Sequence, residues 1–182
     1  MKILKTCTIL SATALIAGLT GCSGTTTKAA DVSGSIRSSL DQAGLKGVSA
    51  TDDRDKGVVT LGGSVPADTD KAQAETIAKS IAGSEVVANQ IAVLPPGGVG
   101  EAKQINADLD KGIENNLDAA LIDRKLHDRV KYSVRNNVVT LNGDVVSEAE
   151  RTLSEQIAST VPNVRQVVNE LQVKKQKATS SN

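Results

Sequence analysis

Residues Gly57 to Val93 and Asn137 to Val173 align without a gap at a separation of 80 positions, placing VVTLGGSV over VVTLNGDV. Val58, Val59, Thr60, Leu61, Gly63 and Val65 recur as Val138, Val139, Thr140, Leu141, Gly143 and Val145. Further along, Glu75, Ile77, Ala78, Val87, Asn89 and Val93 recur as Glu155, Ile157, Ala158, Val167, Asn169 and Val173. About a third of the aligned positions are identical, so the chain is a tandem repeat in which each copy is one folding unit. A unit of roughly 65 residues is near the lower limit for a self-sufficient core. With no Phe, no Trp and the single Tyr132, that core must be filled by Val, Ile, Leu and Ala.

The start of the chain has a different character. Lys2 and Lys5 precede an apolar run from Thr6 to Ala17, followed by Leu19, Thr20, Gly21 and Cys22. The run is too short to span a bilayer and is followed by small residues, which marks a cleaved secretory signal rather than part of the fold. The string LTGC resembles the bacterial lipoprotein pattern. That resemblance implies cleavage before Cys22, a thioether-linked diacylglycerol with an N-acyl chain on Cys22, and, because Ser23 rather than Asp follows, lipid anchoring at the outer membrane facing the periplasm. Multiple acyl chains hold such an anchor firmly. Cys7 lies in the signal and Cys22 is alkylated in this reading, so no disulfide is available.

Charge excludes one partner class. The chain carries 21 basic and 21 acidic residues, and removing Lys2 and Lys5 with the signal leaves 19 against 21. With neither a basic stripe nor aromatic stacking residues, nucleic acid is not an expected partner.

Composition divides the chain into a signal at 1–21, a polar tether at 22–31, a first domain at 32–94, a Pro/Gly linker at 95–104, a second domain at 105–174 and a disordered basic and polar tail at 175–182. The PPGGVG break reaches only about 20 Å when extended, so the two domains must be neighbours. Within each unit the apolar period changes along the chain. Val32, Ile36 and Leu40 predict a short helix stopped by Gly44, and Ile105, Leu109, Ile113, Leu117 and Leu121 predict a longer one. An extended segment follows, Val48 to Thr51 in one copy and Val130, Tyr132 and Val134 in the other. It leads through a turn into the VVTL strand, and Asn136–Asn137 suits a tight hairpin with positive φ. Asp68 and Ser147 are placed as N-caps of a second helix whose face carries Ile77, Ala78 and Ile81, or Ile157, Ala158 and Val161. One closing strand alternates Val87, Asn89, Ile91 and Val93, or Val167, Asn169, Leu171 and Val173. The fold class is therefore α+β: two tandem αββαβ units, each a three-stranded mixed sheet with two helices.

Two repeated details constrain the unit. Gly63 and Gly143 fall where a core side chain is expected, which predicts the close approach of another element, a helix crossing being the natural candidate. Asn89 and Asn169 fall on the apolar face of the last strand, where a buried amide must be hydrogen-bonded, predicting a clamp on neighbouring backbone.

This succession of amphipathic helix, VVTLxGxV, helix and V-x-N-x-[IL]-x-V strand resembles the BON domain, twice, from about Val32 to Leu94 and Ile105 to Val173. Its diagnostic residues are Thr60, Leu61, Gly63, Val65 and Asn89, and Thr140, Leu141, Gly143, Val145 and Asn169. Two copies behind a lipobox are similar to dual-BON lipoproteins. The resemblance implies phospholipid binding and support of envelope integrity or protection under osmotic stress.

Catalysis has little to stand on. His127 is the only histidine and lies in a charged connection, with no second His or free Cys beside it for a metal site or nucleophile pair. Asp52, Asp53 and Asp55, interleaved with Arg54 and Lys56, read as a solvated turn without calcium-loop spacing. No enzyme activity, metal or cofactor is expected beyond the acyl chains on Cys22. Three readings remain open. Anionic phospholipid headgroups are one, with Arg124, Lys125, Arg129, Lys131, Lys174, Lys175 and Lys177 as candidate contacts. A protein-interaction adaptor docking an envelope assembly is the second, and a stress-protective protein without a single ligand the third.

Overall fold

The structure is a computed structural model in which residues 31–174 are described. The lipobox, Cys22, Lys175 and Lys177 lie outside the described residues. The first repeat runs α1 (Ser33–Gln42), β1 (Val48–Asp53), β2 (Val58–Val65), α2 (Asp68–Ala82), β3 (Val86–Asn89) and β4 (Ala92–Val93). The second runs α3 (Val99–Asp123), β5 (Val130–Arg135), β6 (Val138–Val145), α4 (Glu148–Thr160), β7 (Gln166–Asn169) and β8 (Gln172–Val173). In each, the VVTL strand is central, antiparallel to the strand before it and parallel to the two short segments after it. The two repeats are thus α+β units of the αββαβ order, and the closing strand is broken into two pieces.

The repeated asparagine makes that break. Asn89 Oδ1 accepts the Ile91 N–H at 3.4 Å, and its Nδ2 donates to Lys71 O at 3.3 Å and Glu75 Oε2 at 2.9 Å. Asn169 repeats the set with Leu171 N–H, Arg151 O and Glu155 Oε2. Each amide interrupts the strand, whose two pieces run on in the same direction, and ties it to the helix behind it, and so leaves neither of its polar ends unmet.

The repeated glycine answers a different demand. Gly63 and Gly143 sit at φ +93° and +122°, a region that suits glycine. A Cβ would lie 2.1 Å from the Gly47 carbonyl oxygen in the first repeat and 2.3 Å from that of Arg129 in the second. The close neighbour is therefore the backbone entering the adjacent strand, not a crossing helix. Positive φ interrupts the pleat, so Gly63 is exposed although Val59, Leu61 and Val65 on either side are buried.

Helix packing follows the apolar stripes with three differences. In α2 the face pressed on the sheet is Ala74, Ala78 and Ala82, with Ile77 and Ile81 half-buried at its margins, because small side chains let the helix lie close. Asp68 is the first helical residue and not the N-cap; with Asp70 it places negative charge at the positive end of the helix dipole. Ser147 does cap α4, accepting the Glu150 N–H at 3.2 Å. In the second repeat, α3 starts at Val99, so residues 99–104 are helix and not linker. Glu101 in the first turn and a Gln104–Asp108 side-chain bond at 2.9 Å support this extension. Ile105, the first member of the expected stripe, is 58% exposed; the buried face begins at Ile113.

The second hairpin is held more tightly than the first. Asn136 and Asn137 both take positive φ, 49° and 68°, as a two-residue turn requires. Asp110, on the helix extension, accepts both of their backbone N–H groups at 2.7 and 2.8 Å.

One face of each sheet packs on its own helices, and the other meets the opposite repeat. Val58 and Ala88 alternate away from the first core and bury against Val138 and Val168, their own counterparts 80 positions on. At the margin Lys56 pairs with Glu170 at 2.7 Å. The counterpart pair, Asn136 and Gln90, is joined by a 2.7 Å bond from Asn136 Nδ2 to the Gln90 carbonyl. Equivalent residues meet equivalent residues, the signature of a two-fold interface. Gln166 breaks the symmetry. Its amide accepts the Asn89 N–H at 3.1 Å and donates to Val87 O at 2.7 Å, meeting the outward backbone groups of β3 as a neighbouring strand would. Its counterpart, Val86, has no hydrogen-bonding side chain.

Candidate functional site

The second repeat gathers its cations at one end, where α3 finishes, β5 starts, and β6 and β8 finish. The register Val130 to Gly143 and Val145 to Val173 brings these chain ends together. Arg129, Lys131, Asp128, Asp144, Val146 and Lys174 border a groove of about 480 Å³. A neighbouring hollow of about 440 Å³ is lined by Ile122, Lys125, His127 and Asp128, so the two meet at Asp128. Two apolar side chains stand out beside these cations: Ile122, 56% exposed, and Val146, 48% exposed.

Local carboxylates use part of this positive charge. Arg129 pairs with Glu150 at 2.8 Å, Lys174 with Asp144 at 2.7 Å, and Arg124 with its neighbour Asp123 at 3.2 Å. Lys125 and Lys131 have no carboxylate within ion-pair distance among the described residues; the Lys131 ammonium reaches only the His127 carbonyl, at 3.5 Å. Lys125 takes φ +57°, in the position that Gly44 fills in the first repeat, and this left-handed turn ends α3. The structure thus joins Arg129, Lys131 and Lys174 around one groove, sets Lys125 beside it, and leaves Arg124 apart with Asp123.

The sequence patterns gave no reason to single out Ile122 or Val146. The signal was present, since Ile122 falls outside the Ile113, Leu117, Leu121 stripe and Val146 follows the inward-facing Val145.

The first repeat is differently charged. Lys56 is engaged by Glu170 and, at 3.5 Å, by Asp53, which together hold its pKa above the usual lysine value. Burial first, and the nearby Asp52 and Asp31 carboxylates after it, raise the Glu85 carboxyl above the usual glutamate value.

The BON domain profile matches the chain twice, over residues 29–95 and 109–175. The chain belongs to the BON-domain family. No curated protein matches it. Among solved structures it is similar to CdsD, a structural protein of the Type III secretion system of Chlamydia trachomatis, at 14% identity over 77% of this chain and 60% of that one, with a TM-score of 0.30. A structure of the C-terminal domain of CdsD matches at 12% identity over 78% of this chain and 67% of that one, with a TM-score of 0.33. BON domains are not an enzyme family.

Both BON matches include the Gly and Asn positions described above, and the second begins after the first turns of α3. The extension carrying Val99 to Asp108 is thus an addition to the BON unit. In BON domain 2 Asp118, His127 and Tyr132 come together as a titratable group. The Tyr132 hydroxyl donates to Asp118 Oδ1 at 2.9 Å, while His127 Nδ1 lies 2.9 Å from the same oxygen outside hydrogen-bonding geometry. His127 thus stands beside a carboxylate without hydrogen-bonding to it. Burial and the Asp118 carboxylate push the Tyr132 pKa up to about 12, which keeps the phenol a donor. Among the described residues no group of three or more His, Cys, Asp or Glu side chains is placed to hold a metal, and no helix is long and apolar enough to cross a membrane.

Proposed function

We propose that this protein is a lipid-anchored envelope protein, tethered through acylated Cys22 to the periplasmic face of the outer membrane, whose second BON domain rests on anionic phospholipid headgroups. The observation that carries this reading is the placement of Lys125 and Lys131, free of carboxylate partners, beside exposed Ile122 and Val146 at one end of that domain. Each cation held at an anionic surface adds about 1 kcal/mol. Seating the exposed parts of the two apolar side chains adds roughly 1 kcal/mol each. The ion pairs of Arg129 and Lys174 are exposed and weak, so both cations are available to exchange a carboxylate for a phosphate. Lys174 leads directly into Lys175 and Lys177, which extend the same charge. The first BON domain contributes less, because Lys56 is held at the interface and its loop sets Arg54 and Lys56 among Asp52, Asp53 and Asp55.

The test is co-sedimentation of the unlipidated protein starting at Ser23 with neutral and anionic vesicles. Binding is expected to anionic vesicles alone and to weaken with salt, since the Debye length is already about 8 Å at physiological ionic strength. Glu at Arg124, Lys125, Arg129 and Lys131 together should abolish it while the circular dichroism spectrum is unchanged. If the wild-type protein ignores anionic vesicles at low salt, the headgroup reading fails and the adaptor reading, docking an envelope assembly without lipid recognition, replaces it.

A further inference from the structure

A second cationic feature lies between the BON domains. Helix α2 runs beside the segment that leads into β7, and the space between them forms two adjoining cavities of about 390 and 290 Å³. Asp68, Lys71 and Arg165 line both. Lys71 is half-buried there, and no carboxylate among the described residues lies within ion-pair distance of it. Its acidic neighbours are otherwise engaged. Glu75 accepts from Asn89 and pairs with Lys79; Asp110 holds the Asn136–Asn137 turn; Asp68 lies 3.7 Å from Arg165. Burial, reinforced by the like charge of Arg165 from the other domain, lowers the pKa of Lys71 below the usual lysine value, against the opposing fields of Asp68, Glu75 and Asp110.

The internal repeat shows that this arrangement is particular to one place. The counterpart of Lys71 is Arg151, whose guanidinium donates to the carbonyls of Leu171, at 3.1 Å, and Asn169, at 3.4 Å, on its own closing strand. Lys71 makes no such bond. The counterpart of Arg165 is Glu85, so Arg165 departs from the repeat in charge and Lys71 in its bonding alone, and the two come to face each other only when the domains dock. Around the two cavities stand three cations, Lys71, Lys79 and Arg165, and two carboxylates, Asp68 and Glu75. One positive charge is in excess. Ile91, Val93, Leu109 and Val138 supply an apolar wall.

We propose that this interdomain cleft binds a phosphodiester monoanion, its phosphate oxygens set between Lys71 and Arg165 and its organic portion against the apolar wall. A tetrahedral oxyanion accepts from both walls at once, and charge-assisted bonds to Arg and Lys are the strong kind. Because the two cations belong to different domains, the bound anion also draws the domains together.

The experiment is calorimetric titration of the full-length chain with glycerophosphoglycerol, inorganic phosphate as a minimal probe, and chloride as control, with thermal unfolding in parallel. Glycerophosphoglycerol should bind and raise the unfolding midpoint. Lys71→Gln and Arg165→Gln should each weaken binding about tenfold or more, the loss of one charge-assisted bond, while Lys71→Arg retains it. Glu at Lys125 and Lys131 should leave it unchanged, which separates this site from the headgroup surface proposed above. Phosphatidylglycerol vesicles form a last arm: binding that Lys71→Gln weakens identifies a lipid headgroup as the source, and vesicle binding indifferent to Lys71, with the soluble diester bound, identifies a free diester. A wild-type chain silent toward glycerophosphoglycerol, or glutamine variants that bind it as tightly as wild type, overturns the proposal.

Discussion

The two BON domains share a core nearly position for position and differ at their ends. Val59, Leu61 and Val65 and their counterparts Val139, Leu141 and Val145 are buried alike, and both closing strands are interrupted by the same asparagine. At the hairpin end, the first domain has a loose acidic loop where the second has a two-residue turn bound by Asp110. At the opposite end, the first domain passes from α1 to β1 through Gly44, Leu45, Lys46 and Gly47, where the second has Lys125, Leu126, His127, Asp128 and Arg129. Duplicated units keep whatever buries surface and are free to change wherever the chain is solvated. Differences between the copies therefore mark function more sharply than their similarities do.

The largest test of that comparison addresses a feature the copies share. Gly63→Val and Gly143→Val each drive a Cβ into a backbone carbonyl at positive φ, combining overpacking of about 1–3 kcal/mol with backbone strain of about 1–3 kcal/mol. Each variant should lose roughly 3 kcal/mol or more in its own domain, read by denaturant titration with domain-resolved hydrogen exchange. Equal loss in both domains from one substitution would mean that the repeats unfold as a single unit. A smaller effect separates the copies. Asp110→Ala leaves two turn N–H groups without their acceptor and should cost about 1–2 kcal/mol, confined to the second domain, because the loop N–H groups of Asp55 and Lys56 in the first are met by its own Asp53, at 3.2 and 3.3 Å.

The smallest effect at neutral pH is the sharpest in assignment. Tyr132 is the only tyrosine, and the first domain has buried Ala50 at the corresponding strand position. Its pKa is raised from 10.0 to about 12 in the folded protein. A raised folded value means that its contribution is fully present below pH 10 and is lost as pH climbs toward 12. Phenolate absorbance should therefore titrate near 12, and the second domain alone should weaken across that interval. Asp118→Asn should lower the midpoint by removing the carboxylate while burial persists. A wild-type midpoint near 10 would show that the Tyr132–Asp118 bond does not persist in solution.

Much of the fold was legible because it rests on periodicity. Ile113, Leu117 and Leu121 at helical spacing, the VVTL alternation and the Asn136–Asn137 turn all express local backbone preferences. A close approach at Gly63 and Gly143 was legible but its source was not, since the oxygens that exclude a side chain belong to Gly47 and Arg129, in the turns that enter the neighbouring strand. The break in the closing strand likewise depends on a side chain bonding two residues ahead. At the candidate site, the cluster of Arg129, Lys131 and Lys174 was readable as charge. That Arg129 and Lys174 are balanced by Glu150 and Asp144 was not, because Glu150 arrives through the packing of α4 and Asp144 through sheet register. The Lys71–Arg165 encounter was beyond reach, as it requires two repeats to dock.

The pairing of Val58 and Ala88 with Val138 and Val168 bears on how the protein responds to dilution. A two-fold face shared between separate molecules comes apart as concentration falls. Here the short connection from Val93 to Val99 fixes the partner, with an effective concentration on the order of millimolar for a linker of this kind. Scarce or abundant in the cell, each molecule carries its own matched half, and a cleft built from both halves is complete in every copy.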